Sequence, residues 1–408
     1  MTTEYLDILR EWQTKVLKPC VYEHVDALFP AYQFRRMNLG GPKDHWASRY
    51  KMDKTIPKNK IAAKTVIYQS EMHFREQGEW SGSSIGILDF YMKENGIRSL
   101  YEACQALDAR FGLNMPRKDS PDIVAKVQKR ARKDALLEDL MGYFAWNLEN
   151  NSSDKAQKTR SYLAKERGFT KEQISRLNLG FVPDWGTVMR FITQRKGYTI
   201  EELEAACEVR NAEGKTTVGK THTLAIPYEC AGVLKGFIFR KIENKEGPKY
   251  IASQELDRKS AFFNITADPD PKDIIVVEGE FDALKATAEG IENVVAIGGA
   301  EIAGERRSQV EDALSRRGVK KIILCLDLDA EKDAPSKAKT QQRHEHIMRS
   351  IHTIKDVDMD FEEIYVASFP EPSDPDEYIR TYGVEAFRDL LGRAVPYWEY
   401  LFDYKKDK

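Results

Sequence analysis

The sequence predicts a multi-domain chain of the α/β class, mixed α and β overall, whose later part is built on a parallel sheet with flanking helices. Three observations predict it. Apolar runs of strand length alternate with helical stretches from about residue 272 to 368, the pattern that builds parallel sheets. Two of these runs, Ile274-Ile-Val-Val277 and Ile322-Ile-Leu-Cys-Leu326, are apolar at every position, as strands covered on both faces must be. At 408 residues the chain exceeds a single ordinary domain and suggests about two to four.

Taken in order, the chain opens on an amphipathic helix, because Leu6, Leu9, Trp12 and Val16 recur at helical spacing. A short-stranded region from about Phe29 to Trp80 follows. Ser99-x-x-Glu102 reads as a capping box ahead of Ala103, Ala106, Leu107 and Phe111, so a helix closes a first module over 1–113. Residues 114–134 carry Pro116, Pro121 and the cations Arg117, Lys118, Lys126, Lys129, Arg130, Arg132 and Lys133, and read as a basic linker running into a helix start. Such a segment suits either a solvated tether or contact with a phosphate backbone. Helices near 135–150, 159–168 and 170–177 then lead to strands over Thr223–Ser253, which together make a second module, 135–268. The alternating segment makes a third, 269–370, and 371–408 a C-terminal helical segment.

Composition narrows the function classes. Apolar content of 41% is that of a folded protein, and no run of about eighteen apolar residues is present to span a membrane. No signal segment is recognisable at Met1. Five scattered cysteines without a disulfide framework point to a reducing compartment. A net charge of −2 leaves nucleic-acid binding open, since a protein can be neutral overall and basic locally.

The chemistry is written at the strand ends. The first apolar run terminates in Glu278-Gly279-Glu280-Phe281-Asp282, the second in Asp327-Leu328-Asp329. Strand carboxyl ends form the ligand crevice of an open α/β sheet, so these acids are expected to converge. Asp327 and Asp329, two apart on an extended chain, share a face. Hard oxygen ligands of this kind suit Mg²⁺ and phosphoryl transfer; helix capping alone would not call for acids at i and i+2.

Glu278-Gly279-x-x-Asp282 followed by Asp327-x-Asp329, with Gly298-Gly299 between them after Val294-Val-Ala-Ile297, resembles the Toprim domain shared by bacterial DnaG-type primases, topoisomerases and some nucleases. Upstream, Thr223-Leu-Ala-Ile-Pro227-Tyr228, Gly236-Phe-x-x-Arg240 and Gly247-Pro-Lys249-Tyr250-Ile-Ala-Ser253 resemble the subdomain that precedes Toprim in the primases alone. Tyr162-Leu163-x-x-x-x-Arg167-Gly168, Arg176-Leu-Asn-Leu-Gly180-Phe181-Val-Pro183 and Ser373-Asp374-Pro375-Asp376-Glu377-Tyr378 are similar to further primase segments, so the resemblance runs colinearly from about Leu137 to about Leu391. Residues 84–103 resemble the helical end of the primase zinc-ribbon module. The paired Cys or His ligands of a ribbon are missing: zinc is not expected, although His45 and His73 lie in the region. A ribbon-like module held by Trp46, Tyr50, Tyr68, Phe74 and Trp80 is expected instead.

The resemblance implies roles. Glu278, Asp327 and Asp329 would hold Mg²⁺ or Mn²⁺, with Asp282 beside them in catalysis and Asp374 and Asp376 completing or tuning the site; Glu278 could equally act as a general base. Arg240, Lys241, Lys249, Tyr250 and Arg176 would bind nucleotide or DNA, cations on phosphates and Tyr250 on a base, with Lys245 adding charge. Tyr228 reads as core. The implied activity is de novo synthesis of short RNA primers on a single-stranded DNA template from ribonucleoside triphosphates. A replicative helicase is an implied partner, and the cytoplasm of a bacterium or phage-infected host the expected location. A Toprim nuclease and a non-catalytic nucleic-acid-binding protein of the same fold are the alternatives. Ala330-Glu-Lys-Asp-Ala-Pro335 replaces the family's usual Ala-Gly after Asp-x-Asp, and the short segment after Leu391, with the missing zinc ligands, suggests a phage or mobile-element origin. Gly214-Lys-Thr-Thr-Val-Gly219-Lys220-Thr221 satisfies a Walker A pattern, yet it follows polar sequence and leads into a strand. A hairpin turn is expected there.

Overall fold

The computed structural model describes residues 3–37, 44–48, 65–68, 72–76, 84–207, 216–243, 246–254, 256–265, 273–291, 293–302, 304–316, 318–327, 337–357, 363–370 and 373–406. They fall into two compact units, Met1–Ala131 and Arg132–Lys408.

In the first unit, helices Thr3–Trp12 and Lys18–Glu23 precede five short strands, β1 (Arg35–Met37), β2 (His45–Ser48), β3 (Thr65–Tyr68), β4 (His73–Glu76) and β5 (Ser84–Gly86), paired antiparallel in chain order. Helices Ile87–Asn95 and Leu100–Phe111 follow. So few residues per strand cannot hold a sheet alone, and the core is aromatic: Phe74 lies 5.3 Å from Phe29, 5.3 Å from Phe34 and 4.4 Å from Phe90 between ring centroids. Trp46 and Phe74 are buried as expected. Tyr50, Trp80 and the side chains of Tyr68 and His73 lie outside the described residues. On the first helix the inward face is Tyr5, Leu9 and Trp12, while Val16 is exposed. Ser99 stands at the N-cap of its helix but its side chain makes no capping bond, so the expected box is absent.

The basic segment runs into a helix start, as expected. From Pro121 its residues form the start of a helix that runs unbroken to Asn150, because nothing between Pro121 and Asn150 breaks a helix: Gly142 is the single glycine and no proline intervenes.

The second unit holds two sheets. Strands β6 (Gly180–Phe181), β7 (His222–Cys230), β8 (Val233–Lys241) and β9 (Tyr250–Ala252) form an antiparallel sheet in chain order. Alternation divides its side chains: Leu224, Ile226, Tyr228 and Ile238 join one core, whereas Ala225, Phe237 and Phe239 pack with Leu136, Leu140 and Phe144 in another. The second sheet, built from β10 (Asp273–Val277), β11 (Val294–Ala296), β12 (Lys321–Leu324), β13 (Ile364–Val366) and β14 (Val395–Pro396), has the order β11-β10-β12-β13-β14. The first four are parallel and β14 is antiparallel at the edge, where Pro396 has no ladder partner to disappoint on its outer side. Helix Glu280–Ala288 connects β10 to β11, and helix Lys337–Val357 connects β12 to β13. The Walker-like residues Gly219 and Lys220 sit in a turn closed by Gly219 N–H to His222 O, 3.0 Å, and enter β7 directly, so no helix dipole faces a phosphate there. Among the described residues no helix is long and apolar enough to cross a membrane.

Phe144 is 1% exposed and sits edge-on to Phe237, 5.4 Å between centroids. Phe144→Ala is expected to lower unfolding stability by about 3–5 kcal/mol through the cavity it leaves, read from the shift in urea midpoint at unchanged slope.

Candidate active site

Register brings the acids together. β10 and β12 pair in parallel with Val276 opposite Leu324, and Cys325 N–H continues the ladder to Val276 O at 2.9 Å. Two residues on, the Asp327 amide donates to Glu278 Oε1 at 3.1 Å, so the two acids stand side by side at neighbouring strand ends. On the other flank, Ile297 N–H reaches Val277 O and Gly298 N–H reaches Glu278 O at 2.8 Å, which fixes the backbone that carries Glu278.

Asp282 locks the turn behind them. Its Oδ2 accepts from the Gly279 amide at 3.0 Å and its Oδ1 from the Asp376 amide at 3.2 Å. A Cβ at position 279 would lie 2.7 Å from Asp282 Oδ2, so glycine is required for this approach. Burial, then the charges of Asp327 and Asp374, raise the Asp282 carboxyl well above its usual range, against the Asp376 amide bond that lowers it. Gly298, at φ +63°, is held for a similar reason: an added Cβ would meet Arg258 Nη2 at 2.1 Å. Arg258 pairs there with Glu280 and reaches Gly298 O at 3.4 Å, while Arg306 donates to the Ile297 and Gly298 carbonyls.

A cationic and aromatic cluster gathers around Arg240. Arg240 on β8 stands across from Tyr250 on β9, with its guanidinium 4.8 Å from the Tyr250 ring, 4.8 Å from Phe281 and 5.2 Å from Tyr162. Arg240 is 3% exposed, and its Nε and Nη1 make no hydrogen bond with the described residues. Burial first, and then the charge of Arg167, push its pKa down to about 10, against the raising effect of Tyr162 and Asp376. Burial, Arg240 and Arg167 likewise lower Lys249. Arg167 donates from Nε to Tyr162 Oη at 2.7 Å and pairs through Nη1 with Asp376. Tyr162, Arg167, Arg240, Lys241 and Lys249 line a cavity of about 590 Å³ that also touches Asp374, Glu377 and Arg380.

The residues singled out in the sequence therefore separate. Glu278, Asp282 and Asp327 meet; Asp374 borders the same cavity while its Oδ1 caps helix Pro375–Tyr382 through the Glu377 amide, 2.6 Å. Asp376 is fully buried with its carboxylate against Arg167 and, at 3.3 Å, Arg380. Arg240, Lys241 and Lys249 line the cavity, with Tyr250 across from Arg240 on the neighbouring strand, whereas Arg176 is engaged elsewhere. Lys241 donates to Glu246 O and Gly247 O, and Arg176 caps the end of helix Glu280–Ala288 by donating to Ala288 O at 2.8 Å. Tyr228 is core, 1% exposed. Asp329 and Lys245 lie outside the described residues. Among the described residues no three His, Cys, Asp or Glu side chains are grouped as a metal-binding set. Sequence reasoning passed over Arg167 and Tyr162 as site residues, although both stood in a quoted motif at the end of one helix.

Residues 143–265 match a family model described as the DNA primase catalytic core, N-terminal domain, and residues 272–333 match the Toprim domain. A DNA primase of Clostridium acetobutylicum is 25% identical over 327 residues, covering 78% of this chain and 50% of its own length. The chain thus spans about half the length of that curated relative. The zinc-binding and RNA polymerase domains of the Aquifex aeolicus primase have a similar fold, with TM-score 0.55 at 19% identity over 100% of this chain and 89% of that one. The RNA polymerase domain of the Mycobacterium tuberculosis primase is similar with TM-score 0.53 at 25% identity, over 66% of this chain and 86% of that one.

Removing Asp376 leaves the mostly buried Arg167 without its acid, so Asp376→Ala is expected to cost about 3 kcal/mol in a urea titration. Arg380, 32% exposed, faces the same carboxylate from a wetter position, and Arg380→Ala is expected to cost less than about 1 kcal/mol.

Proposed function

We propose that this chain, which carries the N-terminal domain of a DNA primase catalytic core followed by a Toprim domain, synthesises short RNA primers de novo on single-stranded DNA. One observation carries the reading: Glu278 and Asp327 stand together at neighbouring parallel strand ends, in the same unit as a groove lined by buried cations and aromatic rings. A nuclease needs the acids alone; a polymerase also needs a wall that grips a triphosphate and stacks a base.

The donor set fits a hard divalent cation. Glu278 and Asp327 offer carboxylate oxygen, the next acid along the strand end is Asp329, and the charge repulsion that adds to burial in raising Asp282 is what a cation would relieve. Glu278, Asp327 and Asp329 are assigned to Mg²⁺ or Mn²⁺, which when bound supplies neutralisation of triphosphate charge and activation of the attacking 3′-hydroxyl. The protein's own part is positioning, as phosphoryl transfer generally requires. The Asp327 amide orients the Glu278 carboxylate. Asp282, through the Gly279 and Asp376 amides, holds the first strand end against helix Pro375–Tyr382, which borders the groove. Arg240, with buried donors left over, is assigned to triphosphate oxygens together with Lys249. Tyr250, across the strand pair from Arg240, is assigned to stack on a base of nucleotide or template. Template and nucleotides place the reaction in the cytoplasm.

The test is incubation of the full chain with mixed-sequence single-stranded DNA, Mg²⁺ or Mn²⁺ and labelled ribonucleotides, with products resolved on a denaturing gel. Short oligomers that fall roughly a hundredfold in Asp327→Asn support the reading. Template cleavage without oligomers supports a nuclease instead, and tight DNA binding with neither product a binding protein. Arg240→Lys keeps the charge but loses the planar stack, and is expected to raise the nucleotide KM about tenfold, close to 1.4 kcal/mol, in the same assay.

A further inference from the structure

We propose that His222 and Lys241 are positioning residues that set how far Lys249 and Tyr250 reach into the nucleotide groove. The inference rests on the assignment of those two residues to the nucleotide made above.

Residues 246–249, which lead into β9, have their carbonyls claimed one after another by the strands below. Lys241 Nζ donates to Glu246 O at 2.9 Å and to Gly247 O at 3.0 Å. His222 Nε2 lies 2.9 Å from Pro248 O. The Lys241 amide donates to Lys249 O at 3.0 Å. Four consecutive carbonyls are therefore held, three of them by two side chains that stand opposite each other on β7 and β8. Immediately after the last one, Tyr250 enters β9 across from Arg240.

Both side chains are buried, His222 at 3% and Lys241 at 7% exposure. An imidazole N–H or an ammonium in that position needs acceptors, and leaving one unmet is costly. The turn conformation that supplies three carbonyls is thereby selected over others open to a segment that contains Gly247 at φ +92°. His222 is fixed as the Nε2–H tautomer, because a carbonyl can only accept, and Nδ1 then accepts from the Thr221 hydroxyl at 3.1 Å. Burial first, with the Lys241 charge beside it, lowers the His222 pKa despite the Pro248 carbonyl. Lys241, expected to touch nucleotide or DNA, lines the cavity and directs its ammonium at the backbone that delivers Lys249.

The experiment measures KM and kcat for nucleotide in primer synthesis, the Kd of a non-hydrolysable ATP analogue, and the thermal midpoint, on the full chain. His222→Leu and Lys241→Met are each expected to raise KM and Kd about tenfold with kcat within about twofold. His222→Gln, whose amide nitrogen reaches the place of Nε2, is expected to stay within about twofold of the parent KM. Unchanged KM and Kd in the folded Leu and Met variants would overturn the proposal, as would a Gln variant as impaired as the Leu variant, or a fall in kcat alone. Should His222→Leu not fold, His222→Asn, whose shorter amide falls short of Pro248, takes its place with the same expectation. A parent protein that binds the analogue but makes no oligomers sinks the primase reading and leaves the positioning inference to the Kd values. Normal primer synthesis with no change in KM sinks the positioning inference alone, and a parent that neither binds nor synthesises sinks both.

Discussion

The carboxylate of Asp282 is the constraint on which the site is built. Each of its oxygens takes one backbone amide, Gly279 at the end of β10 and Asp376 at the start of helix Pro375–Tyr382. A buried carboxylate is tolerated only when it is hydrogen-bonded, and these two amides are what its burial requires. The same bonds dictate a glycine at 279, hold Glu278 at the strand end, and place Asp374 and Asp376 within its electrostatic reach. Lost, the turn after β10 and the helix from 375 to 382 would no longer share a common anchor.

Around the cavity, positive charge is concentrated on Arg167, Arg240, Lys241 and Lys249. Arg167 and Arg240 both lie over Tyr162 and Phe281, yet only Arg167 has an acid, Asp376, as partner. Ring faces offset part of the cost of burying the second guanidinium, while its proximity to the first lowers its proton affinity. Acids that repel one another and cations that repel one another are thus each gathered within the same unit. Electrostatic strain of this kind is stored where a ligand is to be bound.

Much of this was legible in the residues. Runs such as Ile274–Val277 and Ile322–Leu324 can only be strands buried on both faces, and β10 and β12 are. Acids directly after such runs had to stand at one edge of the sheet. Arg240 and Tyr250 were singled out only through the family resemblance, and that they stand opposite each other on paired strands came from the structure. Where reading failed, the deciding quantity was not local. Ser99 has the residue type and spacing of a cap but makes no capping bond. Arg176 and Lys241 look no different from Arg240 and Lys249 in sequence; the first meets a helix terminus 112 residues away, and the second turns to the carbonyls of its own loop.

By itself, then, the sequence determined the class of fold, the order of the strands along the chain and the side chains that end them, because burial of apolar runs and the period of a strand are properties of neighbours in the chain. Tertiary structure alone decided which acid faces the groove and which is spent on an arginine, and which cation grips a ligand and which holds a turn. Asp376 and Arg167, 209 residues apart, illustrate the reason: a charged group's role is set by its burial and by the partner brought to it, and neither is written at its own position.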